Sequence, residues 1–469
     1  MKILFLASEC APIAKAGGLA DVVGSLPKAL KKIGVEASVI IPFYKGISIS
    51  KDKAEIFKKN IPVSFQGEEH TFHLWKSYLP KSEVPLFLID NERVYSKEGI
   101  YVEEDASSGG RKEEALRFFF LSVAGIEAAK ILNPDIFNCH DWHTAITPFL
   151  MKEKGVGIRS LLTIHNLGYQ GKYPPEMANE LLGTDFNDEV NCLKLGIMNA
   201  DFINTVSPNY AKEILTPEFG EGLEKHLQQR KDKLTGIVNG IDYDHFSPEN
   251  DSFLPQSYSL ETLDKRKANK EHLQKIYFKK TNNDIPLLGI ISRLAEQKGM
   301  DLVKEILPSL MKREAQLLLL GKGVKEYEEI FKKASQEYGG KLHAEIGFDE
   351  ELAHQIYGGV DMFLMPSKFE PCGLGQQIAM RYGCVPIARA VGGIKDTVSN
   401  VEIKEGKING TGFLFEKYDS QDFWEVIQKA LNIFEDKEKW RKIQVAGMKE
   451  DLTWEYSAKK YRELYEKIV

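Results

Sequence analysis

The chain has 469 residues, 43% hydrophobic and 28% charged, with 62 Lys and Arg against 68 Asp and Glu for a net charge of −6. That length implies roughly two to three domains. The composition excludes a disordered chain, a collagen-like repeat and a disulfide scaffold, and the mild acidity makes no case for nucleic acid or an anionic membrane as partner. The five cysteines, Cys10, Cys139, Cys192, Cys372 and Cys384, are odd in number and lack CxxC spacing, so they read as reduced thiols of a cytoplasmic chain, not disulfides or zinc ligands. No apolar run approaches the length of about 18 needed to span a bilayer. The apolar start is broken at Glu9, which favours a buried first strand over a signal peptide.

In chain order, short apolar runs at 3–6, 37–41, 86–89, 160–164, 202–206 and 236–238 read as strands buried on both faces, mostly followed by a helical pattern. One such helix, 20–33, carries Val22, Val23, Leu26, Ala29, Leu30 and Ile33 on a single stripe. The alternation pauses between Asp242 and Asn283, which reads as a linker region plus one helix at 260–276. It then resumes with strands at 287–291, 316–320, 362–365 and 384–387. Two doubly wound α/β domains are expected, 1–243 and 244–454, joined near 243–250. A final amphipathic helix at 454–468 carries Trp454, Tyr456, Tyr461, Leu464 and Ile468 and needs a surface to cover. In open α/β sheets ligands bind outside the carboxyl ends of the strands, so a ligand between the two domains is expected.

Several strand-end loops carry chemistry. Lys15-Ala16-Gly17-Gly18-Leu19-Ala20-Asp21 follows the first strand and opens a helix; paired glycines let backbone N–H groups approach an anion, and Lys15 adds charge. It is not GxGxxG, which argues against a nicotinamide dehydrogenase. Asn138-Cys139-His140-Asp141-Trp142-His143 offers two histidines three apart, but no third ligand at suitable spacing, so a polar substrate-binding cluster is the better reading than zinc. His165 stands where a strand gives way to loop. Asp242-Tyr243-Asp244 is read as a turn. Arg293 and Lys298 lie just past a strand end, where guanidinium and ammonium groups suit phosphate oxygens. Glu370-Pro371-Cys372-Gly373-Leu374-Gly375 holds a carboxylate ahead of a glycine-rich helix start, and Gly392-Gly393 opens another helix.

Taken together, the stretches 15–21, 140–143, 165–171, 239–242, 292–301, 370–376 and 392–396 resemble the bacterial glycogen synthase and starch synthase family over nearly the whole chain. The resemblance implies two Rossmann-like domains facing a deep cleft, the GT-B glycosyltransferase fold, with the final helix crossing back to the first domain. It implies retaining transfer of glucose from ADP-glucose to the non-reducing end of an α-1,4-glucan, with no metal or other cofactor. Glu370, His165, Lys15, Arg293 and Lys298 are the implied catalytic residues. Lys15, Gly18, Asp21, Tyr95, Asp141, His165, Asn239, Lys270, Arg293, Lys298, Glu370 and the Cys372, Gly373, Leu374, Gly375 turn are the implied substrate-binding set. Ala16 and Gly375 depart from the hydroxyl residues of some members, so a side-chain hydrogen bond there is lost. The choice between ADP- and UDP-glucose, and the oligomeric state, stay open.

Overall fold

The computed structural model describes residues 1–101, 108–278, 280–405 and 407–469. It divides into two units, Met1–Asn239 with Trp454–Val469, and Gly240–Thr453. The first boundary thus falls at Gly240 instead of near 243–250.

The sheet of the first unit has nine strands: β1 (Lys2–Leu6), β2 (Glu36–Pro42), β3 (Glu55–Phe65), β4 (Glu68–Tyr78), β5 (Pro85–Asp90), β6 (Ile136–His140), β7 (Arg159–Ile164), β8 (Phe202–Thr205) and β9 (Leu234–Gly236), in the order β9-β8-β7-β6-β1-β2-β5-β4-β3. The pairs from β9 to β5 are parallel, and β4 pairs antiparallel with both β5 and β3. Helices cover both faces of such a sheet, so its central strands are continuous apolar runs. Ile3, Leu4, Phe5 and Leu6 are all sealed from solvent, as are Ile136 and Phe137. From β1 the chain builds outward through β2 and β5, then returns to place β6 on the other side of β1. That reversal opens a crevice at the carboxyl ends of β1 and β6.

The β3–β4 hairpin was not among the expected strands. It shows apolar-polar alternation instead of an apolar run: Ile61, Val63 and Phe65, then Phe72 and Leu74, are buried, while the residues between them are exposed or partly exposed. Gln66 and Gly67 both adopt positive φ, the backbone of a two-residue hairpin turn.

The terminal helix Trp454–Ile468 packs along helix Gly18–Lys32 within the first unit. Its apolar face buries Tyr461 and Tyr465 completely. Two sheet asparagines meet their hydroxyls: Asn204 Nδ2 donates to Tyr461 at 2.9 Å and Asn138 Nδ2 to Tyr465 at 3.3 Å. Ser457 Oγ donates to the Val238 carbonyl at 2.7 Å.

The second unit holds six parallel strands: β10 (Leu287–Ile291), β11 (Gln316–Gly321), β12 (Leu342–Ile346), β13 (Met362–Met365), β14 (Val385–Arg389) and β15 (Phe413–Phe415), ordered β12-β11-β10-β13-β14-β15. Its reversal lies between β10 and β13. The segment expected to be a linker is packed core: Leu254, Tyr258, Leu263 and Leu273 are buried, and helix Arg266–Tyr277 lies on helix Glu350–Gly359. Arg266, itself buried, donates to the carbonyls of Tyr382 and Tyr357. Its charged residues had hidden the helix's role in the core. The five cysteines are all buried, and burial pushes the thiols of Cys10, Cys139 and Cys384 up to about 12. Among the described residues no helix is long and apolar enough to cross a membrane.

Candidate active site

In the first unit, the loop after β1 is organised by Glu9, which is only 3% exposed. Its Oε2 accepts the backbone N–H groups of Ala16 and Gly17, each at 2.7 Å, and Tyr101 donates its hydroxyl to Oε1. This fixes the turn that launches helix Gly18–Lys32 from the sheet reversal. Lys15 projects into solvent with Nζ 2.7 Å from Asp21 Oδ1. A Cβ added at Gly18 would meet nothing within 4 Å. Internal packing therefore does not require glycine there, whereas a close external ligand would.

At the end of β6, Asp141 adopts φ +56° and turns its carboxylate under the start of the loop after β7. Its Oδ1 accepts the backbone N–H of His165 at 2.7 Å and of Asn166 at 3.3 Å. Burial raises the Asp141 carboxyl to about 7 despite these two donors, with nearby Glu9 adding to the rise. His140 Nδ1 and His165 Nε2 lie 2.9 Å apart with their rings stacked, so one donates while the other accepts. Burial holds His165 down to about 3, and burial with the neighbouring His165 does the same for His143. His165 is a neutral imidazole near neutral pH, and its backbone is pinned by Asp141.

In the second unit, the turns after β10 and β13 meet. Gly299 has φ +73°, and a Cβ there would lie 2.0 Å from the Pro366 carbonyl oxygen, so only glycine permits this approach. The adjoining Lys298 reaches Glu370, Nζ to Oε2 at 2.6 Å, and Ser367 Oγ donates to the same oxygen at 3.0 Å. Gly392 closes on Glu370 from the other side: a Cβ there would lie 1.9 Å from the Glu370 carbonyl oxygen, which accepts the N–H of Gly393. The Gly392-Gly393 pair thus buttresses Glu370. Arg293 extends from the β10 turn, donating to Gln297 Oε1 at 2.6 Å. The side-chain amides of Gln376 and Gln377 donate to the Gly373 carbonyl at 3.0 Å each, which fixes the Cys372–Gly375 turn. Each unit therefore gathers polar groups at its own sheet reversal, where a doubly wound sheet binds ligands.

Comparison with known proteins bears on what these groups serve. Residues 2–229 match the starch synthase catalytic domain family and residues 273–444 match glycosyl transferases group 1. Glycogen synthase of Bacillus subtilis (strain 168) is 41% identical, the alignment covering 100% of this chain and 98% of the relative. The chain belongs to the glycogen synthase family. Glycogen synthase of Thermosipho melanesiensis is likewise 41% identical, over 100% of this chain and 99% of the relative. Among solved structures, the catalytic domain of starch synthase IV from Arabidopsis thaliana, bound to ADP and acarbose, superposes with a TM-score of 0.87 at 32% identity, covering 99% of each chain. The family's two Rossmann-like domains of the GT-B fold are the two units described above.

Most residues singled out in the sequence stand at the two reversals: Lys15, Gly18, Asp21, Asp141 and His165 in the first unit, Arg293, Lys298, Glu370 and the Cys372–Gly375 turn in the second. Asn239 is buried at the end of the first unit. Two residues are committed to internal partners. Tyr95 is 3% exposed, edge-on to Tyr44 and Phe120, with its hydroxyl given to the Arg117 carbonyl. Its ring is packed in the core and its hydroxyl is committed to that carbonyl. Lys270 is 3% exposed, with Nζ 2.6 Å from Asp361 Oδ2 and 2.8 Å from the Asn283 carbonyl. Asp361 also accepts the Leu287 N–H at the amino end of β10, the opposite end of the strand from Arg293 and Lys298. Lys270 is a structural pin.

Sequence reasoning missed Glu9 and Tyr101, and gave Ser367 no role. Glu9 carried a usable signal: it is a lone acid three residues past an apolar strand, just before a glycine-rich helix start. The Asp242–Asp244 motif is a turn, with the Asp244 N–H on Asp242 Oδ1 at 2.9 Å.

Proposed function

We propose that the chain transfers glucose from ADP-glucose to the non-reducing 4-hydroxyl of an α-1,4-glucan with retention, in glycogen synthesis in the cytoplasm. The observation that carries this reading is the Lys298–Glu370 pair set by Ser367 and two glycine contacts at the β10–β13 reversal, in a chain of this family. The second unit takes the nucleotide sugar, and the first supplies Lys15, His165 and the acceptor-side groups.

In this mechanism the bond from the anomeric carbon to the β-phosphate oxygen breaks as the bond to the acceptor's O4 forms on the same face. The departing phosphate oxygen takes the acceptor proton. Negative charge grows on the diphosphate, where Lys298, Arg293 and Lys15 lower the barrier without a metal ion. Glu370 holds sugar hydroxyls and keeps Lys298 in place. A double-displacement route needs a nucleophilic carboxylate about 5 Å from its acid partner. Glu370 is instead committed to Lys298 and Ser367. Neutral His165 is suited to hydrogen bonding at the transferred sugar, not to carrying charge.

The test is transfer of labelled glucose to glycogen from ADP-glucose and from UDP-glucose in parallel. Faster incorporation from ADP-glucose supports the reading, a UDP-glucose preference changes the donor, and no incorporation from either overturns it.

A further inference from the structure

Away from these groups, the second unit brings together His245, Glu350 and His354, whose potential ligand atoms all lie within 4.8 Å of one another. Glu350 and His354 are four apart on helix Glu350–Gly359 and therefore share one face. His245 comes from the turn that follows Asp242 and sets Nε2 3.3 Å from Glu350 Oε1. His245 and Glu350 are about half exposed, whereas the His354 side chain is only 2% exposed.

The surroundings of His354 suit a role as metal ligand. Its Nδ1 lies 2.8 Å from Asp251 Oδ2, and that carboxylate is itself held by the Tyr382 hydroxyl at 2.6 Å. Its remaining nitrogen, Nε2, is buried and has no hydrogen-bond partner among the described residues. A buried imidazole nitrogen left without a partner is costly, and a cation close to it would repay that cost. The carboxylate behind a histidine is also the usual means of fixing the ring's tautomer and raising its basicity toward a metal. Phe246 stacks on the ring at 5.0 Å and Phe253 meets its edge at 5.0 Å, so the imidazole is held in one orientation.

We propose that His245, Glu350 and His354 bind one divalent transition-metal ion of the zinc class, with Asp251 orienting His354 and solvent completing the coordination. Two imidazoles and one carboxylate suit zinc, which binds nitrogen at about 2.0–2.1 Å in a tetrahedron, with ligands about 3.4 Å apart. Small rotations of the exposed His245 and Glu350 side chains close the present spacing to that value. Magnesium and calcium, which require mostly oxygen ligands, fit poorly. The ion clips the first turn of the second unit to helix Glu350–Gly359, a stabilising role independent of the diphosphate chemistry.

The experiment uses the full chain, stripped with a chelator and dialysed, then titrated with zinc chloride while heat and bound metal are both measured. The expected result is one zinc per chain and a melting temperature that rises with zinc concentration, with no comparable effect from magnesium chloride. His245→Ala and Glu350→Gln replace exposed groups, so both variants should melt like the parent in chelator. Each should bind zinc at least about tenfold more weakly, and Asp251→Asn should weaken it by about 10- to 100-fold. Absence of stoichiometric zinc binding, or unchanged affinity in either His245→Ala or Glu350→Gln, overturns the proposal.

Discussion

Lys298 and Glu370 form an ion pair, Nζ to Oε2 at 2.6 Å, from two turns that can meet only because Gly299 lies against the Pro366 carbonyl. A donor diphosphate beside Lys298 competes with Glu370 for the ammonium, so the two residues have separable effects. Lys298→Ala removes a cation from the leaving group and is expected to lower kcat by about 10²–10³. Glu370→Gln keeps the shape but loses the charge that orients Lys298 and the sugar. It should lower kcat with little change in nucleotide affinity. Steady-state kinetics with a separate ADP-binding titration resolve the two, and unchanged turnover in both variants would remove the pair from the mechanism.

Asp141 gives the site a pH dependence. Its carboxyl is raised to about 7 chiefly by burial, so the folded chain binds a proton there that the unfolded chain releases near 4. The unfolded state then carries fewer protons, and this group's contribution to stability declines as pH rises from about 4 to about 7, levelling off above. The span is about 4 kcal/mol at most. Asn tolerates positive φ and still accepts the His165 N–H. Asp141→Asn should therefore melt higher than the parent at pH 8 and like it near pH 4. Equal melting shifts at both pH values would show that burial does not penalise this carboxylate.

Much of this fold was legible because a parallel sheet covered on both faces writes its strands as apolar runs. Residues 287–291 and 362–365 coincide with β10 and β13. The β3–β4 hairpin escaped because only one of its faces is buried, leaving alternation in place of a run. The edge strand β12 escaped for the same reason, since only Leu342 in it is fully buried. Strand-end loops drew attention to Lys15, Arg293, Lys298 and Glu370 because a doubly wound sheet binds ligands at the carboxyl ends of its strands. Tyr95 and Lys270 rest on the family resemblance alone, and in the structure both are buried among internal partners. A polar side chain looks the same in sequence whether it faces a ligand or satisfies buried carbonyls and carboxylates, and only packing separates the two.

Lys270 supplies a direct check. Its ammonium and Asp361 are an almost fully buried pair, at 4% and 9% side-chain exposure. Removing one partner of such a pair costs about 3–5 kcal/mol because the other charge stays buried. Lys270→Met is expected to lower the melting temperature clearly while leaving kcat per folded molecule unchanged. A fall in kcat with unaltered melting would return Lys270 to the active site.

Glu9 should act through the loop it holds. Glu9→Gln retains one oxygen for the N–H groups of Ala16 and Gly17 and turns its amide toward Tyr101, whose hydroxyl must then accept instead of donate, so the loop loses the carboxylate charge and the charge-assisted character of these bonds. The expected outcome is a lower kcat/KM for the donor sugar, with the fold retained by circular dichroism. The isosteric change is preferable to Glu9→Ala, which would leave two backbone donors buried without an acceptor.

Gly18 separates the needs of the fold from those of the ligand. It stands exposed at the first turn of its helix, without positive φ, and a Cβ there meets no protein atom within 4 Å. Alanine is the better helix former by up to about 1 kcal/mol, so packing alone would favour Gly18→Ala. If the donor phosphate or sugar approaches this backbone, the added methyl occupies its space. The variant is expected to melt at or above the parent temperature and to lose at least about tenfold in kcat/KM for the donor. An increase in stability without that loss would mean that the glycine is not there for the ligand, and the contact assigned to Gly18 would have to move to Lys15 and the amides beyond it.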